Sequence, residues 1–359
     1  MIKSFEIYLV SLFLKKLMTI SLIFLSLVFI LSIFDEISFF RNIEINFFFP
    51  FLITALNVPS TLFEIFPFIF LISTQFFFLE LINKNELEVM KIHGLNNFKI
   101  IKILFYTSFI MGLILMSFFY GFSSKLKFIY LDLKNDYSND NKYLAVVTEN
   151  GLWLKDEIDK NIYIISANKI ENDHLNDVTI TIFSKDFDLI KIVEAEKVDI
   201  SKAEWVIAKP TISQDNKTLK TDKNIKMNTH FDKKKINSLF SNLSSLNIFE
   251  LFKLKADYKS LGYSTNEIKS HLNRLYSFPL YISIMTIFSS IIMFNIKRNK
   301  PLIFHVILGI FLSVIIYYFY YLFSLMGTNG NIPLLVSIWL PLLMLMIFIL
   351  IGLVRINEK

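Results

Sequence analysis

Six long apolar stretches restrict the possible folds of this chain more than any other feature of its sequence. An α-helix rises about 1.5 Å per residue, so about 20 apolar residues cross a hydrocarbon core of about 30 Å. The six predicted transmembrane helices cover residues 17–34, 62–79, 103–122, 275–296, 302–326 and 332–354. Hydrophobic residues make up 54% of the 359 residues and include 39 phenylalanines. This composition indicates a polytopic α-helical membrane protein.

The second predicted span is preceded by a further apolar stretch. Residues 45–79 are apolar throughout except for Glu64, but the sequence "NVPST" at 57–61 interrupts them. Proline lacks a backbone N–H and usually kinks or ends a helix. We therefore expect an interfacial approach segment first and the span itself from residue 62 onward.

Basic residues beside the spans predict the orientation of the chain. They fall in four groups: Lys3, Lys15 and Lys16; Lys84, Lys91, Lys99 and Lys102; Lys297, Arg298 and Lys300; Arg355 and Lys359. Such groups favour the cytoplasm, so an even number of crossings should separate successive groups. Two crossings lie between each pair of groups, which predicts cytoplasmic N- and C-termini. No small-residue cleavage site follows the first apolar run, so a signal peptide is not expected.

A polar segment with a different pattern lies between the third and fourth predicted spans. In "DVTITIFS" (177–184), Val178, Ile180 and Ile182 alternate with threonines, which is typical of a half-buried strand. Similar stretches are "KNIYIISANKI", "LIKIVEAEKVDI" and "EWVIAKPTI". These strands predict an all-β, jelly-roll-like domain outside the cytoplasm, large enough to hold its own core. The sequence that follows these strands predicts a helix, with a break in the helix expected at Gly262.

The sequence carries no pattern for catalysis or cofactor binding. It has no cysteine, no phosphate-binding loop, no dinucleotide fingerprint and no H-E-x-x-H, and its five histidines are scattered. The net charge of +6 is explained by lysines beside the spans, so a nucleic-acid partner is not expected. We predict a protein that is not an enzyme and holds no metal or cofactor of its own.

The order of several motifs resembles the LptF/LptG permease family of the lipopolysaccharide exporter. These motifs are "VPSTLFEIFP" (58–67), "NELEVMKIHG" (85–94) and "NGLWLKD" (150–156), the last similar to LptG in particular. Gly262 and Pro279 fall where the family has its return helix and fourth span. The resemblance implies transmembrane helices 1–3 with a cytoplasmic coupling helix at 85–94 within residues 1–122. It also implies a periplasmic β domain with its return helix at 123–274, and helices 4–6 at 275–359.

In the family, the coupling helix binds a groove of the LptB ATPase dimer, which holds the ATP and Mg²⁺ that this chain lacks. The resemblance implies that Glu86 pairs with a basic residue of that ATPase and that Leu87 and Met90, three residues apart, fill its apolar groove. Glu88 is a further acid that either joins the pairing or is solvated. Gly94 suits the end of the helix because it lacks a Cβ. Without the resemblance, this segment could be a cytoplasmic loop with no partner.

The resemblance also implies a substrate and further partners. In the family, LptG and LptF form a cavity for lipopolysaccharide in the inner membrane, and LptC and LptA carry the lipid onward through the periplasm. LptG typically has a lysine near the outer end of its first span, where this chain has Ser32; Asp35 matches the family. Arg41 is the basic residue of the following outer loop and the candidate to replace that lysine.

Other functions remain open from the residues alone. A membrane-anchored receptor or sensor with an extracytoplasmic β domain has the same organisation but does not need a docking helix. A lipoprotein or peptide permease of another ABC family would share the coupling helix. A membrane enzyme is the least favoured, because it needs clustered polar residues within the spans.

Overall fold

A computed structural model gives the fold of most of the chain. It describes residues 4–41, 43–135, 137, 152–158, 161–171, 173–214, 217–231, 236, 242–260, 264–294 and 301–357. The chain divides into two compact units, the membrane unit Met1–Lys127 with Asn266–Lys359 and the β unit Phe128–Thr265. The predicted helix break at Gly262, the basic group at 297–300 and residues 150–151 of "NGLWLKD" lie outside the described residues.

Nine α-helices are described. They are α1 (Ser4–Phe39), α2 (Phe49–Asn83), α3 (Glu86–Ile92), α4 (Asn97–Ile114), α5 (Tyr120–Asn135), α6 (Ile248–Ser260), α7 (Asn266–Phe294), α8 (Leu302–Thr328) and α9 (Leu334–Asn357). A π-helical turn, Leu115–Phe119, joins α4 to α5, so the two form one continuous helix. Six helices of this set are long and apolar enough to cross a membrane, which confirms the predicted number of spans.

The predicted break before the second span is wrong. Helix α2 runs without interruption from Phe49 to Asn83 and contains Pro59 and Pro67. Neighbouring helices and side chains can compensate for the hydrogen bonds that proline removes inside membrane proteins. Pro50 lies in the first turn, where its missing N–H costs nothing. The expected interfacial approach segment is therefore the first part of the spanning helix.

Other helices also extend beyond their predicted limits, and α1 already begins at Ser4 and ends at Phe39, against the predicted 17–34. The third spanning helix continues to Asn135, past residue 122, because Tyr130 and Leu131 remain buried in the added turns. The fourth begins at Asn266, before residue 275, and its first turns bury Ile268 and Leu272. Apolar residues thus continue to recur at helical spacing in these added segments. The many polar residues around them made the segments look unlike spanning helices.

Helices α2 and α7 form the centre of the membrane unit. In each of these helices, 67% of an apolar 18-residue segment is buried, whereas the corresponding value is 22% for α1 and for α8. Helix α1 lies antiparallel to α2, with Phe13 against Phe77 at 6.1 Å between ring centroids and Phe24 against Phe68 at 5.6 Å. The exposed apolar faces of α1, α8 and α9 are therefore available to lipid or to another membrane subunit.

Helices α4 and α7 are in close backbone contact at Gly112. A Cβ built on Gly112 would lie 2.7 Å from Pro279 Cα, so this position accepts only glycine without movement of the backbone. Two buried polar side chains form hydrogen bonds between helices, one joining α7 to α2 and the other joining α2 to α8. Ser289 Oγ donates to Leu71 O at 2.8 Å, and Gln75 Nε2 donates to His305 O at 3.2 Å. Small residues and interhelical hydrogen bonds of this kind hold membrane helices together.

The β unit contains one antiparallel sheet. Its strands are β1 (Leu152–Ile158), β2 (Asn161–Glu171), β3 (His174–Phe183), β4 (Leu189–Asp199), β5 (Glu204–Ala208), β6 (Thr211–Gln214), β7 (Lys217–Lys220) and β8 (Ile225–Asn228). From β1 to β4 each strand pairs with the next. Strand β4 then pairs with both β5 and β6, which pair in turn with β8 and β7. The predicted strands and their all-β insertion between the third and fourth spans are confirmed.

One face of the sheet forms the core of the β unit. Leu175, Val178, Ile180 and Ile182 of β3 are all buried, as the alternation in the sequence predicted. Trp205 of β5 is fully buried on the same core, and its Nε1 donates to Phe231 O at 2.8 Å. The indole N–H is thereby satisfied where water cannot reach it.

Asp156 is a buried carboxylate of this unit, with 1% of its surface exposed. Its Oδ2 accepts from Thr229 Oγ1 at 2.7 Å and from His230 N at 3.0 Å, and its Oδ1 lies 2.7 Å from His230 Nδ1. Because β1 and residues 229–231 are distant in sequence, the carboxylate closes the strand end onto the segment that follows β8. Leu152 and Leu154 of the same strand are buried, whereas Trp153 is 57% exposed.

Candidate functional site

The short helix α3 lies between two spanning helices and is bounded by specific backbone conformations. Asn85 precedes it with φ 58°, a left-handed conformation that asparagine adopts more readily than most residues. Gly94 follows it with φ 87°. Gly94 N donates to Lys91 O at 3.0 Å, and Leu95 N donates to Met90 O at 3.0 Å. These two bonds form a Schellman motif, so Gly94 ends the helix as the sequence predicted.

The exposed apolar surface of α3 consists of different residues from those expected. Leu87 has only 9% of its surface exposed because it packs within the chain, and Met90 is half-buried. Val89 and Ile92 are 51% and 81% exposed. They are three residues apart and therefore share one helix face. The exposed apolar surface of α3 is built from Val89 and Ile92.

Glu86 and Glu88 add negative charge to this surface. Glu88 is exposed, whereas Glu86, in the first turn of α3, is half-buried. Tyr8 of α1 donates its hydroxyl proton to Glu86 Oε2 at 2.6 Å. A carboxylate offers about four acceptor sites, so this bond leaves room for a cationic donor at Glu86.

An ionic network anchors the end of α2 beside α3. Glu80 forms salt bridges with Lys16 of α1 and with Lys84, whose Nζ donates to Glu80 Oε1 at 2.6 Å. This hydrogen bond to the carboxylate raises the pKa of Lys84 above its ordinary value. Lys84 therefore stays charged near neutral pH, and its bond to Glu80 fixes the turn from which α3 begins.

A third contact joins α1 to the segment that follows α3. Lys99 Nζ lies 4.9 Å from the ring centroid of Phe5, within the distance of a cation–π interaction. Lys99 belongs to the first turn of α4, where the Asn96 side chain accepts from Lys99 N at 2.8 Å. The first residues of α1 thus contact the end of α2, the start of α3 and the start of α4.

The residues predicted to contact substrate lie at the other end of α1. Ser32 is half-buried and Asp35 is exposed, and their spacing of three places them on one helix face. Arg41 is exposed two residues beyond the helix end at Phe39. Glu36, next to Asp35, is 3% exposed. The sequence did not single out this buried acid, which differs from its neighbour only in the face of α1 that it occupies.

The geometry of these side chains is suited to docking. Among the residues that the structure describes, no group of three His, Asp or Glu side chains could hold a metal ion. His305 is buried beside α2, where its backbone carbonyl accepts from Gln75, consistent with a packing role for this segment. An exposed apolar pair flanked by two carboxylates is instead typical of a helix that binds a groove with a basic rim.

Sequence reasoning did not find Tyr8, Lys16 and Glu80, nor the exposed pair Val89 and Ile92. In the sequence, Tyr8, Lys16 and Glu80 appear only as polar residues near the start of one apolar helix and near the end of the next. Two adjacent antiparallel helices must bring such ends together, but the sequence alone does not say which residues meet.

The fold defines a multi-pass helical membrane protein with a β domain inserted between its third and fourth spans, and with a short exposed helix after the second. The family model of the lipopolysaccharide export system permease LptF/LptG matches residues 7–356. The chain belongs to the LptF/LptG permease family, which confirms the resemblance found in the motifs. A comparison with curated proteins found no match.

Membership of the family has general consequences for the chain. It is a multi-pass inner-membrane protein of the lipopolysaccharide export permease type, a transporter class that is generally non-catalytic. A permease of an ABC exporter works with an ATPase and with other Lpt proteins. The family model includes both LptF and LptG, so it does not distinguish between them.

Proposed function

We propose that this chain is the LptG-type permease subunit that extracts lipopolysaccharide from the inner membrane and passes it to a periplasmic bridge. The observation that carries this proposal is α3, whose exposed Val89 and Ile92 and whose Glu86 and Glu88 form a docking surface. The sequence has no nucleotide-binding motif, so the energy for extraction comes from a partner. That partner is an LptB-like ATPase dimer, which binds ATP and Mg²⁺.

The topology of this proposal follows from which helix ends meet. The contact of Tyr8 with Glu86 shows that the start of α1 and the start of α3 lie at the same side of the membrane unit. Lys15, Lys16 and Lys84 assign that side to the cytoplasm. One spanning helix then leads to the β unit, which is therefore periplasmic, and three more spans return the C-terminus to the cytoplasm.

Helix α3 binds the ATPase through an apolar part and an acidic part of its surface. Val89 and Ile92, with the half-buried Met90, enter an apolar groove, while Glu86 accepts from a basic residue of the ATPase. Glu88 strengthens this pairing from the exposed side. Leu87 supports the surface from below because it is buried in the chain, and Gly94 fixes its end. Apolar anchors fix affinity, whereas charges at the rim guide orientation.

Substrate handling occurs at the periplasmic end of α1. Asp35 and Arg41 are exposed there, and Ser32 lies one turn before Asp35. We assign Arg41 to the phosphates of lipid A, since a guanidinium binds phosphate through paired hydrogen bonds. The exposed faces of α1 and α8 face an LptF-like permease and the lipid between the two subunits. The β unit passes the lipid to LptC-like and LptA-like proteins.

The LptG assignment is supported by Leu152–Asp156 of "NGLWLKD". In the structure Leu152 and Leu154 enter the core and Asp156 closes the strand end onto Thr229 and His230. The motif thus has a structural reason to recur in proteins with this β domain. A receptor or sensor would keep this domain but would not need the exposed apolar pair on α3.

The first prediction concerns docking by α3. Replacing Ile92 with Asp is expected to weaken binding of the ATPase at least about tenfold, because the groove must then bury an unpaired charge. Glu86→Ala is expected to weaken binding by a similar amount through loss of the ion pair. The measurement is co-purification of the tagged chain with the LptB-like and LptF-like subunits in detergent, followed by titration of the ATPase.

Phe187→Asp is the matched control, since it places the same charge at another exposed apolar residue, 65% exposed, in the β unit. It is expected to leave ATPase binding unchanged. If Ile92→Asp and Glu86→Ala bind the ATPase as tightly as the wild type, α3 is not the docking surface.

A further inference from the structure

The start of α1 is attached to α3 and its neighbours more firmly than the rest of α1 is attached to the membrane unit. Leu9 and Phe13 are fully buried, and Phe13 packs against Phe70 and Phe77 of α2. Beyond Ile20 the buried side chains of α1 become sparse: Val28, Ile33 and Glu36. Helix α1 is therefore fixed at one end and exposes most of its spanning part.

The fixed end of α1 contacts three successive points of the chain. Lys16 binds Glu80 at the end of α2, Tyr8 binds Glu86 at the start of α3, and Phe5 contacts Lys99 at the start of α4. Lys16 and Tyr8 each bind a carboxylate, through an ion pair and a hydrogen bond, and the contact of Phe5 with Lys99 is a cation–π interaction. A displacement of α3 relative to α2 must either break these contacts or move the start of α1 with it.

The contact at Tyr8 bears directly on the docking surface. The Tyr8 hydroxyl donates to Glu86 Oε2 at 2.6 Å, a short distance typical of an O–H bond to a charged acceptor. Tyr8 is itself 39% exposed and directly precedes the fully buried Leu9. The bond restricts the Glu86 side chain to one orientation while Oε1 remains free to accept from a donor outside the chain.

We propose that Tyr8 is a positioning residue that holds Glu86 ready for the ATPase and joins the docking helix α3 to α1. A side chain that is already ordered loses less conformational freedom on binding, so its ion pair with the ATPase forms more tightly. The same bond transmits a displacement of α3 to α1, a spanning helix with a large exposed apolar face. This inference rests on the proposed function, in which α3 receives the ATPase.

A spectroscopic test of the Tyr8 contact does not depend on the ATPase. The chain has no cysteine, so a single cysteine at Ile92, 81% exposed on α3, can carry a nitroxide label alone. In detergent-purified chain, Tyr8→Phe is expected to increase the mobility of this label in its electron paramagnetic resonance spectrum. A label at Ile351 of α9, which is also exposed, is expected to keep its spectrum.

Tyr106→Phe is the matched control substitution. Tyr106 is an exposed tyrosine on α4 whose ring lies 6.0 Å from Lys102 Nζ, a contact that phenylalanine preserves. It should leave both labels unchanged. If Tyr8→Phe leaves the label on α3 as immobile as in the wild type, the Tyr8 hydroxyl does not hold α3 and the inference is wrong.

A double-mutant cycle tests whether Tyr8 acts through Glu86. Tyr8→Phe alone is expected to weaken ATPase binding by about five- to tenfold, because the Glu86 side chain must then be ordered during binding. In a Glu86→Ala chain the same substitution should have no further effect. Additive effects would contradict positioning through Glu86. If the wild-type chain binds no ATPase at all, the proposed function fails, and the label spectra still decide the role of Tyr8.

Discussion

Asp156→Ala is expected to destabilise the β unit strongly while the membrane helices keep their stability. The substitution removes the acceptor of Thr229 Oγ1 and of His230 N and leaves these donors near the buried strand end. A buried donor without a partner costs about 1–3 kcal/mol, so the total loss is expected to be about 3 kcal/mol or more. This is a large part of the stability of an ordinary domain. Hydrogen exchange of the whole chain in detergent measures the effect in peptides from both units.

Asp222→Ala is the control for this prediction, because Asp222 is exposed in the same unit. It should leave exchange in β1 to β8 at the wild-type rate. Asp156→Asn should fall between the two, since the amide keeps one acceptor oxygen but turns the other position into a donor. Wild-type protection of β1 and of residues 229–231 in Asp156→Ala would show that the carboxylate does not hold the two segments together.

Gly112→Ala is expected to destabilise the membrane unit by about 1–3 kcal/mol, and larger residues by more. The new methyl group would lie 2.7 Å from Pro279 Cα and 3.1 Å from Pro279 Cβ. Neither atom belongs to a flexible side chain, so α4 and α7 must move apart over the length of their contact. The midpoint of thermal unfolding of the purified chain in detergent should fall, with loss of the α-helical signal.

Gly121→Ala is the matched control in the same continuous helix. A Cβ at Gly121 would meet no atom within 4 Å, and alanine favours a helix over glycine by about 1 kcal/mol. Its unfolding midpoint should equal or exceed that of the wild type. Equal midpoints for Gly112→Ala and the wild type would mean that α4 and α7 are not packed as closely as the structure has them.

The sequence predicted the parts of the fold that rest on a simple repeating pattern. Each of the six apolar stretches forms a helix long enough to span a membrane, because a helix satisfies its backbone hydrogen bonds within the segment itself. The strands β2, β3 and β4 followed from alternation in the sequence, since only one face of the sheet is buried. In β1 this alternation places Trp153 outside and Leu154 inside.

The limits of the helices could not be predicted in the same way. Helix α2 continues through Pro59 and Pro67 because neighbouring helices pack around it. A larger share of its apolar 18-residue segment is buried than in α1. Helix α5 extends to Asn135 because Tyr130 and Leu131 are buried there. In both helices, contacts with residues distant in sequence decide where the helix ends. These contacts cannot be deduced from the composition of the segment itself.

The candidate site was predicted in part. Gly94 could be recognised as a helix end because its lack of a Cβ permits the left-handed conformation that it adopts. The choice between Leu87 and Ile92 as exposed residue could not be made, since it depends on how the seven-residue helix is rotated against the chain. The contact between Tyr8 and Glu86 joins residues 78 positions apart and depends on the packing of α1 against α2.

The most direct test of the proposed function is transfer of lipopolysaccharide in a reconstituted membrane. Liposomes would contain this chain, an LptF-like subunit, an LptB-like ATPase and lipopolysaccharide, with LptC-like and LptA-like proteins as the route of release. Lipid that reaches the LptA-like protein would be measured with and without ATP. We expect ATP-dependent transfer with the wild-type chain and its loss with Ile92→Asp. Transfer that proceeds equally well without this chain would show that the chain is not the permease subunit.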